Sequence, residues 1–89
     1  MALKDRLREV FVRALELTDD IDVDNLKYRD IDKWDSVGHM ALIVAIEDEF
    51  DVQFETDQVI DMSSFKVAVD MLRGFGVEDV RRFIQKIGA

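Results

Sequence analysis

Ser36 and His39 are the two side chains whose types and spacing come closest to catalytic chemistry in this chain. They stand three residues apart, about one turn of a helix, so the imidazole could reach the hydroxyl. His39 is the sole histidine and the chain has no Cys, so a serine nucleophile has a single candidate base and a thiolate nucleophile has none. A lone histidine near a helix start is more often a solvated or packing residue, and we therefore expect no self-contained catalysis.

Three aspartates, Asp20, Asp22 and Asp24, are spaced like the first three ligands of a calcium-binding EF-hand loop. The match then fails, because Asn25 occupies the position that needs Gly and Ile31 stands where the loop needs a bidentate Glu. The sequence favours a solvated acidic loop here, and we predict no metal site.

The pair Asp35-Ser36 follows Trp34 and opens a predicted helix. In the ordinary role of such a pair, one side chain caps the helix by accepting a hydrogen bond from a backbone N–H. In a second role, the Ser36 hydroxyl carries a covalent phosphate ester. A phosphodiester there would face free backbone N–H groups and the positive end of the helix dipole, so it would need no cationic side chain to hold it.

The elements that must position these residues are predicted to be helices. Apolar residues at steps of three and four predict a first helix over Leu3–Leu17. The stretch from there to Trp34 has no sustained period, which predicts a long loop with one short turn around residues 25–29. A second helix is predicted to begin at Asp35-Ser36 and to end at Phe50.

The rest of the chain continues the all-α pattern. Thr56 is predicted to cap a short third helix that runs to about residue 61. Ser63 or Ser64 is predicted to cap a fourth, which stops at the glycine at 74 or 76. Helical spacing over Val77–Ile87 predicts a fifth helix, a C-terminal extension over residues 77–89. The predicted fold is one small all-α domain over residues 1–89.

The second predicted helix is apolar on more than one face. One stripe suits a bundle core and consists of Leu42, Ile43, Ile46 and Phe50. Another face carries Val37, Met40, Ala41 and Val44. A helix in a small bundle needs one stripe for the core, so the second face is a candidate contact surface.

Composition and charge narrow the range of partners. The 89 residues hold 12 Lys+Arg against 20 Asp+Glu, for a formal net charge of -8. This balance argues against a nucleic acid partner, because affinity for the phosphate backbone comes largely from clustered cations. No apolar run approaches the ~20 residues that span a bilayer, and charges occupy the N-terminal stretch where a signal peptide would be apolar. We therefore expect a cytoplasmic protein with no membrane partner.

Acidic residues are concentrated in one part of the chain. Between Lys33 and Lys66 there are eight Asp or Glu residues and no Lys or Arg. Four of the eight crowd the end of the second predicted helix, where the helix dipole disfavours negative charge, so local stability does not account for them. The stretch is either a solvated acidic face or a surface that steers a basic partner.

Residues 34–72, WDSVGHMALIVAIEDEFDVQFETDQVIDMSSFKVAVDML, resemble the acyl carrier protein family. In that family an Asp-Ser-Leu triplet opens the second helix and its serine bears 4′-phosphopantetheine; the triplet here is Asp35-Ser36-Val37. The similarity continues through the acidic helix end at 45–50, the short third helix and the start of the fourth. Together with the first helix, it covers nearly the whole chain up to Gly74.

The resemblance implies a four-helix acyl-carrier-like bundle with a long loop between its first two helices. It implies that Ser36 attaches a covalent 4′-phosphopantetheine arm and that Asp35 helps position the magnesium used by the phosphopantetheinyl transferase. The protein would then be a carrier and not an enzyme, because its acyl or related group rides as a thioester on the thiol of the arm.

The resemblance also implies roles for the faces of the second helix. The implied partner interface, which would meet basic docking patches on acyl-loading and acyl-processing enzymes, consists of Val37, Met40, Ala41, Val44, Glu47 and Asp48. The implied acyl pocket lies between the second and third helices and is lined by Ile43, Ile46, Val59, Ile60 and Met62. Carriers of bulk fatty-acid synthesis commonly have an acidic residue where Ala41 stands. This departure favours a dedicated pathway, such as polyketide, modified fatty-acid or sugar-linked acyl chemistry.

Two other functions fit the same residues. One is a helical protein-interaction module in which Ser36 is only a helix cap, so that Ser36→Ala would cost about 1 kcal/mol and leave partner binding intact. The other is a peptidyl carrier loaded with an amino acid, which shares the attachment serine, although the acidic second helix favours acyl chemistry. A monomer is the simpler expectation for a carrier that presents one face to many enzymes.

Overall fold

The computed structural model describes residues 2–77, and within that range the chain is 62% helical and has no strands. Its helical elements are α1 (Leu3–Leu15), a 3₁₀ turn (Val23–Asn25), α2 (Ser36–Phe50), α3 (Thr56–Asp61) and α4 (Phe65–Gly74). The predicted small all-α bundle is therefore confirmed. The predicted fifth helix, beyond its first residue Val77, lies outside the described residues.

Helix α1 ends two residues earlier than the sequence predicted. Glu16 takes a left-handed conformation with φ 54°, and its N–H donates to the carbonyl of Val12. The N–H of Leu17 donates to the same carbonyl at 3.0 Å, which closes the end of the helix in a compact turn. Leu17 is half-buried against the core from this turn and not from a further helical position.

The long loop between α1 and α2 is anchored to the core along its length. Trp34 is fully buried, and its ring packs against Phe11 in a T-shaped arrangement with a centroid distance of 5.3 Å. The loop also pairs with the start of α4, because Tyr28 N–H donates to Ser63 and Phe65 N–H donates to Leu26. The short turn lies at 23–25, slightly before the predicted 25–29, since Val23 is a buried anchor there.

The core is formed by one face each of α1, α2 and α4 together with loop anchors. On α2 the buried residues are Leu42, Ile43, Ile46 and Phe50, which is the predicted stripe. On α4 they are Phe65, Ala68, Val69 and Leu72. Helix α1 is tied to the end of α2 because the guanidinium of Arg6 bonds Glu49 and lies over the ring of Phe50.

The caps of the last two helices differ in how well the sequence predicted them. Ser64 caps α4, where its hydroxyl accepts a hydrogen bond from Val67 N–H, as one of the two predicted alternatives. Helix α3 is capped by Glu55 and not by Thr56, because Glu55 and Gln58 form a reciprocal capping box. Thr56 is the first helical residue.

No helix within residues 2–77 is both long enough and apolar enough to cross a lipid bilayer.

Candidate functional site

Asp35 and Ser36 have distinct positions at the start of α2. Asp35 is the N-cap in an extended conformation, and its Oδ1 accepts a hydrogen bond from Gly38 N–H at 2.8 Å. The Asp35 carbonyl accepts from His39 N–H, also at 2.8 Å. The Asp35 side chain therefore satisfies one of the backbone donors that every helix start leaves without partners, and its carbonyl accepts the first regular hydrogen bond of the helix. Ser36 is the first helical residue. Of the two residues predicted as possible caps, Asp35 is therefore the one that caps α2, and the alternative in which Ser36 caps it is wrong.

The Ser36 side chain is exposed, and its hydroxyl makes no hydrogen bond to any residue in the range 2–77. The backbone N–H groups of Ser36 and Val37 likewise find no acceptor among those residues. An exposed hydroxyl, two open N–H donors and the positive end of a fifteen-residue helix dipole thus occur together. This donor set suits a phosphate ester on Ser36 Oγ.

His39 is fully engaged elsewhere. Its Nδ1 accepts a hydrogen bond from the indole Nε1–H of Trp34 at 2.9 Å, and its Nε2 lies 2.7 Å from the carbonyl of Val59. The ring stacks on Trp34 with an interplanar angle of 21° and packs against Tyr28 in a T-shaped arrangement. Both nitrogens are occupied, so His39 is not placed to act as a base for Ser36. These hydrogen bonds of His39 were not predicted from the sequence. The available signal was the short spacing between Trp34 and His39 across the start of a helix.

Gly38 brings the loop close to the first turn of α2. A β-carbon at this position would lie 1.9 Å from the carbonyl oxygen of Lys33 and 3.3 Å from a methyl group of Leu15. The backbone of the loop therefore passes directly over the helix start, which a side chain would prevent. This contact fixes the loop next to Ser36. In the sequence, the close approach was indicated by the single glycine inside an otherwise unbroken helix.

The second apolar face of α2 lies on the surface. The exposed fractions of Val37, Met40 and Val44 are 77%, 53% and 53%, and Ala41 is exposed as well. These positions begin beside Ser36 and continue for two turns. The structure thus places the apolar members of the predicted partner interface together on one exposed face.

The acidic end of α2 has structural partners that the sequence did not reveal. Glu47 Oε2 accepts a hydrogen bond from Phe54 N–H at 2.9 Å, which holds the connection to α3. Glu49 pairs with Arg6 at 3.2 Å and with Arg13 at 3.6 Å. Glu47 and Glu49 therefore stabilise contacts between elements, a role that neither predicted interpretation of the acidic stretch included. Asp48 is exposed.

The residues predicted to line an acyl pocket lie in three environments. The fully buried members are Ile43, Ile46 and Met62, with exposed fractions of 3%, 0% and 1%. Val59 is half-buried against the core. Ile60 is 72% exposed, because the next residue after Val59 on a helix lies well round the helix axis. Ile60 therefore does not share the environment of the other four predicted pocket residues in this structure.

An open groove of about 340 Å³ lies between α1 and α2. Its lining residues are Arg13, Ala14, Ala45, Asp48 and Glu49. Asp48 stands about 18 Å along α2 from Ser36, given a rise of 1.5 Å per residue, so the groove is separate from the serine end of the helix.

The three aspartates with calcium-like spacing have separate protein partners. Asp20 accepts from the Thr18 hydroxyl, Asp22 accepts from Asn25 Nδ2 at 2.7 Å, and Asp24 pairs with Arg8. Across residues 2–77, no group of three or more His, Asp or Glu side chains is arranged to hold a metal ion.

Comparison with known proteins gives no match to a protein-family model, to a curated protein or to a solved structure.

Proposed function

We propose that this protein is an acyl carrier that holds an acyl or related intermediate as a thioester on a 4′-phosphopantetheine arm attached to Ser36. The proposal rests on the different roles of Asp35 and Ser36 at the start of α2. Asp35 caps the helix, and this leaves the Ser36 hydroxyl exposed and without a hydrogen-bond partner in the described part of the chain. A serine that served only as a cap would have that hydroxyl bonded to the helix.

The residues at the helix start fit the phosphodiester of such an arm. The open N–H groups of Ser36 and Val37 can donate to its phosphate oxygens, which the helix dipole also favours. Asp35 uses Oδ1 for Gly38 N–H, so its other oxygen is the one available to a magnesium ion during transfer of the arm. The arm supplies the thiol that the Cys-free chain lacks.

The surface beside Ser36 supports an interaction with basic proteins. The exposed apolar face of Val37, Met40 and Val44 begins next to Ser36, in a stretch that carries no Lys or Arg between Lys33 and Lys66. An apolar patch in an acidic surround suits a partner with an apolar centre and a basic rim, such as the transferase and the acyl-loading and acyl-processing enzymes. In this proposal the protein is a cytoplasmic monomer in a dedicated pathway, such as polyketide or modified fatty-acid biosynthesis.

The same exposed face also favours a second candidate, a helical protein-interaction module with an unmodified Ser36. A peptidyl carrier loaded with an amino acid would share the serine with the acyl carrier. The two carriers differ in their loading enzymes, whereas the interaction module differs from both in having no arm.

The absence of Cys makes the arm directly measurable as a thiol. The protein is incubated with coenzyme A, magnesium and a broad-specificity phosphopantetheinyl transferase, and then desalted and titrated with a thiol reagent. We expect one thiol per chain in the wild type and none in Ser36→Ala. If several transferases leave the wild type without a thiol, the carrier proposal fails and the interaction module takes its place.

A further inference from the structure

Helix α3 is short and has few ties to the rest of the protein. It has six residues, none of which is buried. The connection that precedes it is held where Phe54 N–H donates to Glu47 of α2. Within α3 itself, the described hydrogen bond to another element runs from the imidazole of His39 to the carbonyl of Val59.

The direction of this bond follows from its neighbour. An indole N–H can only donate, so Nδ1 of His39 must accept from Trp34 and carries no proton. In the neutral ring the proton therefore lies on Nε2, which donates to the Val59 carbonyl. Trp34 is in turn fully buried against Phe11 of α1. The chain of two bonds thus begins in the core and ends on α3.

The Val59 carbonyl is one of the groups that a helix end leaves open. The last four carbonyls of a helix have no partner within it, and in α3 the first of these, on Gln58, accepts from Met62 N–H. The next, on Val59, accepts from His39. His39 therefore acts as a C-terminal cap for α3 from a position in the first turn of α2.

We propose that His39 is a latch that holds α3 against α2, and that breaking its bond to Val59 lets α3 unfold locally while α1, α2 and α4 stay folded. The opening is confined to α3, because both flanking segments stay anchored. Phe54 is held before α3 by its bond to Glu47, and Met62 is buried directly after α3. Opening uncovers the half-buried Val59. The latch is a property of the fold and stands whether or not Ser36 carries an arm.

The latch is tested by amide hydrogen exchange on the full chain with two matched variants. His39→Phe keeps an aromatic ring beside Trp34 and removes both hydrogen bonds, whereas His39→Gln keeps a donor and an acceptor. We expect the amides of Val59 and Met62 to exchange about tenfold faster in His39→Phe, relative to the slowest amides of α1, and His39→Gln to restore slower exchange.

Two outcomes would overturn the latch. Equal acceleration of α1 and α3 amides would show a global loss of stability, and equal exchange in the two variants would show that ring shape and not hydrogen bonding holds α3. If His39→Phe does not fold, the latch is tested on the wild type. Coupling across the hydrogen bond between His39 Nε2 and the Val59 carbonyl carbon must then be observed by NMR, and its absence refutes the proposal.

Discussion

At the start of α2, two adjacent polar residues differ in what they are bonded to. Asp35 is bonded to the helix through Gly38 N–H, whereas the Ser36 hydroxyl is exposed and has no partner among residues 2–77. The residue that stabilises the helix start is therefore not the residue proposed to carry the arm, because the cap does not depend on the serine. A modification of Ser36 would leave the capping hydrogen bond of α2 in place.

This separation predicts different costs for two neighbouring substitutions. Asp35→Ala removes the cap and should lower the free energy of unfolding by about 1 kcal/mol. Ser36→Ala removes an exposed hydroxyl and should change it by less than about 0.5 kcal/mol. Urea unfolding of both variants measures the two costs, and a larger cost for Ser36→Ala would show that the serine is the true cap.

Gly38 gives a second prediction at the residue scale. A methyl group there would collide with the Lys33 carbonyl oxygen, so Gly38→Ala should destabilise the protein by about 1–3 kcal/mol, the usual range for overpacking. Gly74→Ala is the matched control, because a β-carbon at Gly74 meets nothing within 4 Å. In thermal unfolding the control should be neutral or slightly stabilising. Equal effects of the two substitutions would contradict the close approach of the loop.

At the scale of elements, α2 combines a buried face with an exposed apolar face. The buried stripe was predictable because a helical period places its residues on one side of the helix. The exposed face was predictable as a surplus of apolar residues beyond what a core needs. Contacts between elements were not predictable, because the positions of Val59 relative to His39 and of Lys33 relative to Gly38 depend on how the loop folds back over the helix.

The contacts of the acidic residues with other elements were likewise not predictable from the sequence. Glu47 and Glu49 look alike in sequence, yet one binds a backbone N–H of the following loop and the other pairs with α1. Ile60 and Val59 are adjacent apolar residues, and only one packs against the core. Local pattern predicted the helices, whereas tertiary packing decided which side chains stay available.

The exposed face of α2 carries a prediction at this scale. Met40 is 53% exposed, so Met40→Glu should leave the free energy of unfolding within about 0.5 kcal/mol of the wild type. If the face docks carrier enzymes, the rate of arm loading by the transferase should fall about tenfold, because a charge would enter an apolar contact. Val12→Glu places the same charge on an exposed position of α1 and should load normally. Normal loading of Met40→Glu would place the interface elsewhere.

At the scale of the whole molecule, ion pairs join the long loop to the helices. Arg8 of α1 is bonded to Asp24 in the 3₁₀ turn, and Lys33 is bonded to Glu16 at 2.8 Å. The hydrogen bond from Arg8 holds the pKa of Asp24 below its ordinary value. These ion pairs anchor both halves of the loop that leads to Ser36 to α1 and its C-cap residue.

This shift predicts a pH dependence. A carboxyl whose pKa is lowered in the folded state stabilises the fold fully above its unfolded pKa and loses that effect as pH falls through the folded pKa. Asp24→Asn should therefore cost about 0.5 kcal/mol at pH 7, as exposed ion pairs do. The difference from the wild type should shrink once the pH falls below the ordinary value of 3.8. The urea unfolding midpoints of both proteins, measured from pH 7 to below 3.8, give this difference. A difference that does not change with pH would contradict the lowered pKa of Asp24.

The carrier proposal is tested most directly by intact-protein mass spectrometry after incubation with coenzyme A, magnesium and a phosphopantetheinyl transferase. Ser36→Ala is compared with Ser63→Ala, in which another exposed serine is removed. The wild type and Ser63→Ala should each gain the mass of one phosphopantetheine, and Ser36→Ala should gain none. A gain that persists in Ser36→Ala, or no gain in the wild type with several transferases, would contradict the assignment of Ser36 as the attachment site.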